Sequence, residues 1–512
     1  MDKQQNIIEP TLHLKPPRAH FVGIGGTGMR ALAAVLAERG WNITGSDVQP
    51  DSAAELINHG IRVSTGHSAG NISAETALVV FSEAIGPENA ERRQAEALGI
   101  PQRSYAQLLG EITSVGKSAG TAAPAGVEPK RTLAVAGTHG KSTVTAMAAQ
   151  ILVLAGLDPT VVCGAAPVYA GSGIGEIGGR NGAGPLNLVE ACEYRRNFLN
   201  LRPDVAVLLN VEHDHFDCYQ TIDEVATAYS QFLALLPDDG LAIAAHEENT
   251  ARGNLARTIV EASGRHTVTF GLSRSADWRA TNLQQSRGRY RFDVVRHDRR
   301  FIHVVLSVPG KHNVLNALAA AALARHSGVS AQHVAQGLAA FRGLKRRLEH
   351  CGTWGGVPWI DDYAHHPTEI KASLATLRQM YPRRRIYCVF QPHQASRLTA
   401  LLDELADSLH NADRIAVADV YRAREPALEN GAVRSQTPNL NRPSGEATTG
   451  DLAARLRTGG SDVVDVHQPQ AIARLLTDEL QPGDLLVTIG AGDLGKSFHD
   501  IRERLRRNCA VA

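Results

Sequence analysis

The sequence has almost no net charge: 53 Lys and Arg stand against 52 Asp and Glu over 512 residues. No global field is left to hold nucleic acid or an anionic membrane, so any anionic ligand must be held by local devices. Cysteine is scarce. The six present, Cys163, Cys192, Cys218, Cys351, Cys388 and Cys509, are scattered, with no CxxC pair and no dense framework. They read as reduced thiols in a cytosolic enzyme rather than a disulfide scaffold. No apolar run reaches the roughly 18 residues a transmembrane helix needs. The N-terminal stretch MDKQQNIIEPTLHLKPPRAH is polar and lacks the apolar core of a signal peptide. A soluble cytoplasmic enzyme is the expectation.

What is present is alternation. At roughly 100–200 residues per domain, the length predicts three or four domains. Short apolar runs at 20–24, 43–46 and 77–82 alternate with helical patterns such as 28–39, the mark of βαβ units around a parallel sheet. Residues 114–130 are small, rich in Gly, Ala and Pro, and aperiodic, which reads as a linker. A second series runs through 132–136, 186–190, 205–210 and 241–244. It closes on a predicted antiparallel hairpin, 289–295 with 301–308, and an Ala/Leu-rich helix at 313–326. A third series has predicted strands at 359–361, 386–390, 414–418 and 485–489. Residues 429–450 are polar and rich in Gly, Pro, Asn and Thr, as in a surface loop. The expected architecture is therefore α/β in three domains: a Rossmann-like 1–126 with its linker, a central 127–342 with a mainly parallel sheet, and a Rossmann-like 343–512.

The strongest local signal is Gly137-Thr138-His139-Gly140-Lys141-Ser142, followed by Thr143, between a predicted strand and a predicted helix at 143–155. Strand, glycine turn and helix is the context a phosphate loop needs, because converging N–H groups and the helix N-terminus favour an anion. Lys141 can reach the β- and γ-phosphates, and the Ser142 hydroxyl can ligate Mg²⁺. The general pattern has a Gly five positions before Gly140. Here that position is Val135, so this is a shorter variant. A chance GKS in a turn is the bland alternative, against which the flanking strand and helix argue.

Gly23, Gly25 and Gly28 form a second glycine signature, with Asp47 about 20 residues on at a strand end. That spacing suits a dinucleotide fold with Asp47 on a ribose. Taken alone, it is equally a site for another nucleotide diphosphate or a tight structural turn. Glu190 and the run Asn210-Val211-Glu212-His213-Asp214-His215 end two further strands. Ligands collect at the carboxyl ends of parallel strands, so Glu190 and His215 face a common metal on one reading and are surface polar residues on the other. His312, Asn313 and Asn316 stand at a helix start, where Asn often merely caps. Asp361-Asp362-Tyr363-Ala364-His365-His366-Pro367 packs two carboxylates and two imidazoles into one turn. Arg346, Arg347 and Arg397 add cations that suit phosphate or carboxylate.

In this order, GTHGKST, NVEHDH, PGKHNVLNA and DDYAHHPTEI resemble the phosphate loop, metal motif, adenine motif and third-domain motif of the Mur ligases, across about residues 19–496. Within that family DDYAHHPTE, QPHxxSR and GIGGTGM look like the branch that adds L-alanine, where the glycine turn serves UDP-muramate rather than NAD. The resemblance implies an ATP-dependent ligase that joins L-alanine to the lactyl carboxylate of UDP-N-acetylmuramate through an acyl phosphate, in peptidoglycan precursor synthesis. It implies ATP contacts from Gly137, Thr138, His139, Gly140, Lys141, Ser142, Thr143, His312, Asn313, Asn316, Arg347 and Asp362. UDP-N-acetylmuramate would meet Gly25, Gly26, Thr27, Gly28, Asp47, His67 and Ser82. Mg²⁺ or Mn²⁺ would sit on Ser142, Glu190 and His215. Lys141, His366 and Arg397 would be catalytic, with Arg397 on the amino-acid carboxylate and His366 near its amine.

Two departures stand out. The family often carries Glu-Ala-Asp-Glu-Ser-Asp where this chain has Glu190-Ala191-Cys192-Glu193-Tyr194-Arg195. No Lys lies between His215 and Gly240, so the carboxylated lysine of some sister ligases cannot be carried over, in keeping with the alanine-adding branch. Other readings are a sister ligase joining a whole peptide to UDP-muramate in wall recycling, and a folate polyglutamate ligase, against which the GIGGTGM domain argues. From another class come an NAD-dependent oxidoreductase and a non-catalytic nucleotide-binding module. Retention of Lys141, Glu190 and His215 argues against the module.

Overall fold

The computed structural model describes residues 16–49, 54–115, 129–169, 171–247, 251–422, 445–466, 469–492 and 494. Most of the expected linker (116–128), most of the expected polar loop (429–444) and the N-terminal 1–15 lie outside the described residues.

Three sheets follow one another along the chain. The first has five parallel strands in the order Arg62–Thr65, Asn42–Asp47, Arg18–Val22, Leu78–Phe81, Gln102–Ser104. Its middle strands are apolar on both faces because helices cover both. Ala19, Phe21 and Val22 are fully buried, with Ala31–Leu36 of the helix Thr27–Glu38 packed against the strands.

The second sheet has ten strands, seven of them mutually parallel. Arg131–Ala136 sits inside it, between Leu186–Glu190 and Val205–Leu208. The strand order reverses there, which is where open α/β sheets collect ligands. The helix Lys141–Leu154 that follows is buried on ten of its fourteen residues. It is sandwiched between the sheet and the helices His312–His326 and Ala331–Ala340. Ala319–Ala322 and Gly337 let these helices approach closely: a Cβ on Gly337 would fall 2.6 Å from Ile151 Cγ1.

The expected hairpin is present as Arg289–Arg296 with Arg299–Pro309, and a third antiparallel strand, Trp278–Ser286, joins it to the parallel part. That strand escaped the sequence reading because its alternation breaks at a register shift between Thr281 and Gln284, where Asn282 takes φ +53°. The third sheet runs Glu349–Trp354, Val357–Asp362, Leu485–Ile489, Ile386–Phe390, Arg414–Ala418, Val463–Val466, antiparallel only at its first pair. Its edge strands Glu349–Trp354 and Val463–Val466 were not expected, since edge strands are short and mixed in polarity. The expected 429–450 loop ends earlier than read: Thr448 caps a helix that starts at Thr449, in a reciprocal capping box with Asp451. No helix among the described residues is long and apolar enough to cross a membrane.

Candidate active site

At the carboxyl end of Arg18–Val22 the chain turns through Gly23, φ +77°, into the helix Thr27–Glu38. The N–H groups of Gly23 and Ile24 both donate to Ser46 O, at 2.9 and 3.1 Å. Gly25 N donates to Asp47 Oδ2 at 2.8 Å, and Gln49 N to Asp47 Oδ1 at 2.9 Å. Asp47, expected on a ribose, therefore props the glycine turn. His67 lies alongside, its Nδ1 2.9 Å from Ser46 Oγ, and Ser82 Cβ presses on Gly23. Behind them Glu91 is fully buried. It accepts from Ser46 Oγ at 2.6 Å and pairs with His67 and His20. Burial opposes its charge, but the bonds from His20, Ser46 and Asn71 outweigh that and hold its pKa at about 2. The structure thus brings Gly25, Gly26, Thr27, Gly28, Asp47, His67 and Ser82 to one sheet edge.

The loop 137–142 follows the interior strand. Gly137 and Gly140 take φ +135° and +86°, values only glycine adopts readily. Asn210, from the neighbouring strand end, clamps the loop: its Oδ1 accepts from His139 N at 2.7 Å and its Nδ2 donates to His139 O at 3.0 Å. Beside the loop opens a cavity of about 460 Å³. His139, Gly140, Ser142, Thr143, His312, Asn313, Asn316, Arg347 and Asp362 line it, together with apolar Leu209, Phe270, Val308 and Leu344. Asn316 Oδ1 lies so near Gly140 that a Cβ there would come within 2.7 Å. Burial and Arg347 push the His312 pKa down to about 4, leaving a neutral ring at neutral pH.

Lys141 does not line this cavity. Its ammonium donates to Gly137 O at 2.6 Å and Thr138 O at 3.0 Å, and lies 2.9 Å from Glu193 Oε2. Burial disfavours its charge, yet Glu193, Cys192 and Glu190 prevail and raise its pKa. Glu193, 2% exposed, also lies 3.4 Å from His215 Nε2. Glu190 instead accepts from Gly164 N at 2.7 Å. His215 thus stands against Glu193, three residues past the carboxylate the sequence reading paired it with. The sequence names Glu193 only as part of a departure from the family motif, because it lies beyond the strand end at which ligands are expected.

The third sheet meets this junction with the turn after Asp362. Glu369 Oε1 is 3.2 Å from His139 Nδ1 and 3.5 Å from Arg347 Nη1. Thr368 Oγ1 donates to Glu212 Oε2 at 2.7 Å. The His366 ring packs 4.7 Å from that of His139, and its Nδ1 caps the helix Pro367–Met380 by accepting from Thr368 N. Burial and His139 bring the His366 pKa down to about 3. Arg397, 2% exposed, donates to Asp214 Oδ1 from Nε at 2.8 Å, with Nη2 2.6 Å from the same oxygen, while Nη1 donates to His393 O at 2.8 Å. Among the described residues, His139, Glu212 and His366 form the one cluster of three metal-capable acidic, thiol or imidazole groups within 4.8 Å of one another. Sequence reasoning named Glu212 without a role and passed over Glu369. Neither position differs in pattern from a surface carboxylate.

Asp362 is 3% exposed. Burial raises its pKa to about 6, against the Ser373 hydroxyl and Arg347, which lower it. The folded state therefore binds more protons than the unfolded state between pH 3.8 and about 6, and stability falls as pH rises through that window. Asp362→Asn should accordingly raise the melting temperature at pH 7–8, by the equivalent of about 2–3 kcal/mol, and do little at pH 4. Equal effects at both pH values, read by thermal unfolding, would count against this account.

A glycine turn at one sheet edge, a phosphate loop at a strand-order reversal and a charged turn from a third sheet define a nucleotide-using α/β enzyme whose site lies between domains. Three family models match along the chain: "Mur ligase family, catalytic domain" at 18–116, "Mur ligase middle domain" at 188–324 and "Mur ligase, glutamate ligase domain" at 346–492. A UDP-N-acetylmuramate–L-alanine ligase of Lachnospira eligens is 36% identical over 491 residues, covering 95% of this chain and 98% of its own. One from Desulfitobacterium hafniense is 38% identical over 485 residues, with 94% and 98% covered. The crystal structure of the Thermotoga maritima UDP-N-acetylmuramate–alanine ligase aligns with TM-score 0.76 and 25% identity over 96% of this chain and 99% of that one. A murein peptide ligase from Psychrobacter arcticus shares the fold, with TM-score 0.69 and 24% identity over 96% and 99%. The chain belongs to the Mur ligase family.

Proposed function

We propose that this chain is the ATP-dependent ligase that joins L-alanine to the lactyl carboxylate of UDP-N-acetylmuramate. The observation that carries the reading is similarity to UDP-N-acetylmuramate–L-alanine ligases over nearly the whole chain, with the motif residues converging on one interdomain junction. The donor's nucleotide diphosphate lies on the glycine turn at Gly25–Gly28, where a helix N-terminus favours an anion. The base and ribose of ATP occupy the cavity beside His312, Asn313 and Asn316, and its phosphates reach the loop.

A carboxylate is a poor electrophile. Its oxygen attacks the γ-phosphorus, ADP leaves, and the resulting acyl phosphate carries a good leaving group. The free amine of alanine then attacks the acyl carbon, the bond to the phosphate oxygen breaks, and inorganic phosphate departs with the proton the nitrogen gives up, leaving the amide. Two anions must meet in the first step, so cationic and N–H groups have to balance the charge that builds. Lys141 exchanges Glu193 for phosphate oxygens. The residues fit a divalent ion: Glu193 is a buried carboxylate, and Glu190, Glu193, His215 and the Ser142 hydroxyl supply the oxygen-rich donors Mg²⁺ or Mn²⁺ takes. When bound, that ion would supply positive charge against the anions that meet in the first step. Burial of the junction keeps water from the acyl phosphate. The reading assigns Arg397 and His366 to the alanine site, and the neutral His366 ring adds no charge there to repel the ammonium form.

An ADP-release assay with UDP-N-acetylmuramate, ATP and a panel of amino acids and peptides tests the reading. Turnover with L-alanine supports it; turnover only with a peptide acceptor replaces it by the recycling ligase. Glu190→Ala and Glu193→Ala should each raise the Mg²⁺ concentration for half-maximal rate, by tenfold or so at the cost of one charge-assisted contact. Unchanged metal dependence in both would move the ion elsewhere.

A further inference from the structure

Tyr105 opens the helix Tyr105–Thr113 directly after the strand Gln102–Ser104, next to the N-cap Ser104. Its ring lies against Gly28, where a Cβ would come within 2.9 Å of Cζ and 3.0 Å of the phenol oxygen. Gly28 is the second residue of the helix whose N-terminus faces the glycine turn, so glycine is required there by the tyrosine as much as by any ligand. The ring packs on the apolar core of the first domain, which anchors it. Its hydroxyl has no hydrogen-bond partner among the described residues. The helix it opens crosses to the second domain, packing on the segment Tyr194–Asn200, where a Cβ on Gly110 would run into Asn200 O.

That position has a consequence for the donor. Under the proposed function, one molecule must reach from the glycine turn to the γ-phosphate of ATP. The uridine and diphosphate end on the first domain, and the lactyl carboxylate ends beside Lys141 and Glu190. The phenol touches the first of those ends, at Gly28, and the helix that carries it packs on the second domain. A tyrosine hydroxyl is both a donor and an acceptor, and one left unpartnered beside the glycine turn is available to a ligand that runs past it. We infer that Tyr105 is a positioning residue for the donor, its hydroxyl bonding the muramoyl part that bridges the first and second domains. The inference rests on the proposed function and adds a residue that neither the glycine turn nor the phosphate loop includes.

Tyr105→Phe keeps the ring against Gly28 and removes only the hydroxyl. Equilibrium binding to the full-length protein, measured for UDP and for UDP-N-acetylmuramate, separates the roles. The expected result is UDP affinity unchanged within twofold, UDP-N-acetylmuramate affinity reduced about tenfold, as for loss of one hydrogen bond, and a raised KM for the donor with KM for ATP unmoved. Equal weakening of both ligands would show that the residue only shapes the glycine turn, and no change in either would show that the hydroxyl touches no ligand; both overturn the inference. Failure of the wild-type protein to bind UDP-N-acetylmuramate at all would instead overturn the proposed function beneath it.

Discussion

Lys141→Ala should lower kcat/KM by about 10²–10³, the usual effect of removing one preorganised contact to transition-state charge. It should also destabilise the protein, because Glu193 is buried and loses its closest cation. Breaking a buried pair on one side costs about 3 kcal/mol or more. The two effects are separable. Glu193→Gln added to Lys141→Ala removes the stranded charge, so the double variant should regain much of the melting temperature and none of the activity. His215, 3.4 Å from Glu193, gives partial compensation in the single variant and sets the lower end of the loss. Steady-state kinetics and thermal unfolding on the same three proteins provide the check. A double variant that regains turnover would mean Lys141 serves only to neutralise Glu193.

Arg397→Lys carries the second large effect. Lysine keeps the charge but cannot place two donors on Asp214 and a third on His393 O as the guanidinium does. The bond to Asp214 crosses from the third sheet's domain to the second's, and both partners are buried. Burial opposes the Asp214 charge, and Arg397, His215 and His365 outweigh it and hold its pKa well below the usual range. If Arg397 meets the alanine carboxylate, with Asp214 marking where a carboxylate fits, KM for L-alanine should rise by more than tenfold while KM for ATP and for UDP-N-acetylmuramate stay near wild type. If the arginine serves only to latch the domains together, all three constants should rise in concert, since each substrate needs the closed form. Measuring the three KM values side by side decides between them. A normal KM for alanine with weakened ATP binding would assign Arg397 to the nucleotide.

The central strands were legible because they are buried on both faces. Leu186–Glu190, Ile386–Phe390, Arg414–Ala418 and Leu485–Ile489 are short, mostly apolar runs, and their limits agree with the sequence reading to the residue. The edge strands were not legible. Arg62–Thr65 is largely exposed, and a strand with one open side needs no apolar pattern. Glycine turns are visible in sequence because the backbone there requires glycine. Asn210, by contrast, clamps the phosphate loop through one side-chain amide, and an Asn at a strand end carries no pattern that marks it.

The sequence by itself determined the α/β fold, the two glycine turns and the family, because periodicity and glycine spacing are local properties written along the chain. Only the tertiary structure decided which charges meet. It set Lys141 and His215 on Glu193, Asp47 on Gly25 N and Arg397 on Asp214. Such pairs join residues as far as 183 positions apart. Their geometry depends on how whole domains dock, and a carboxylate shows no sign in sequence of which cation it will face.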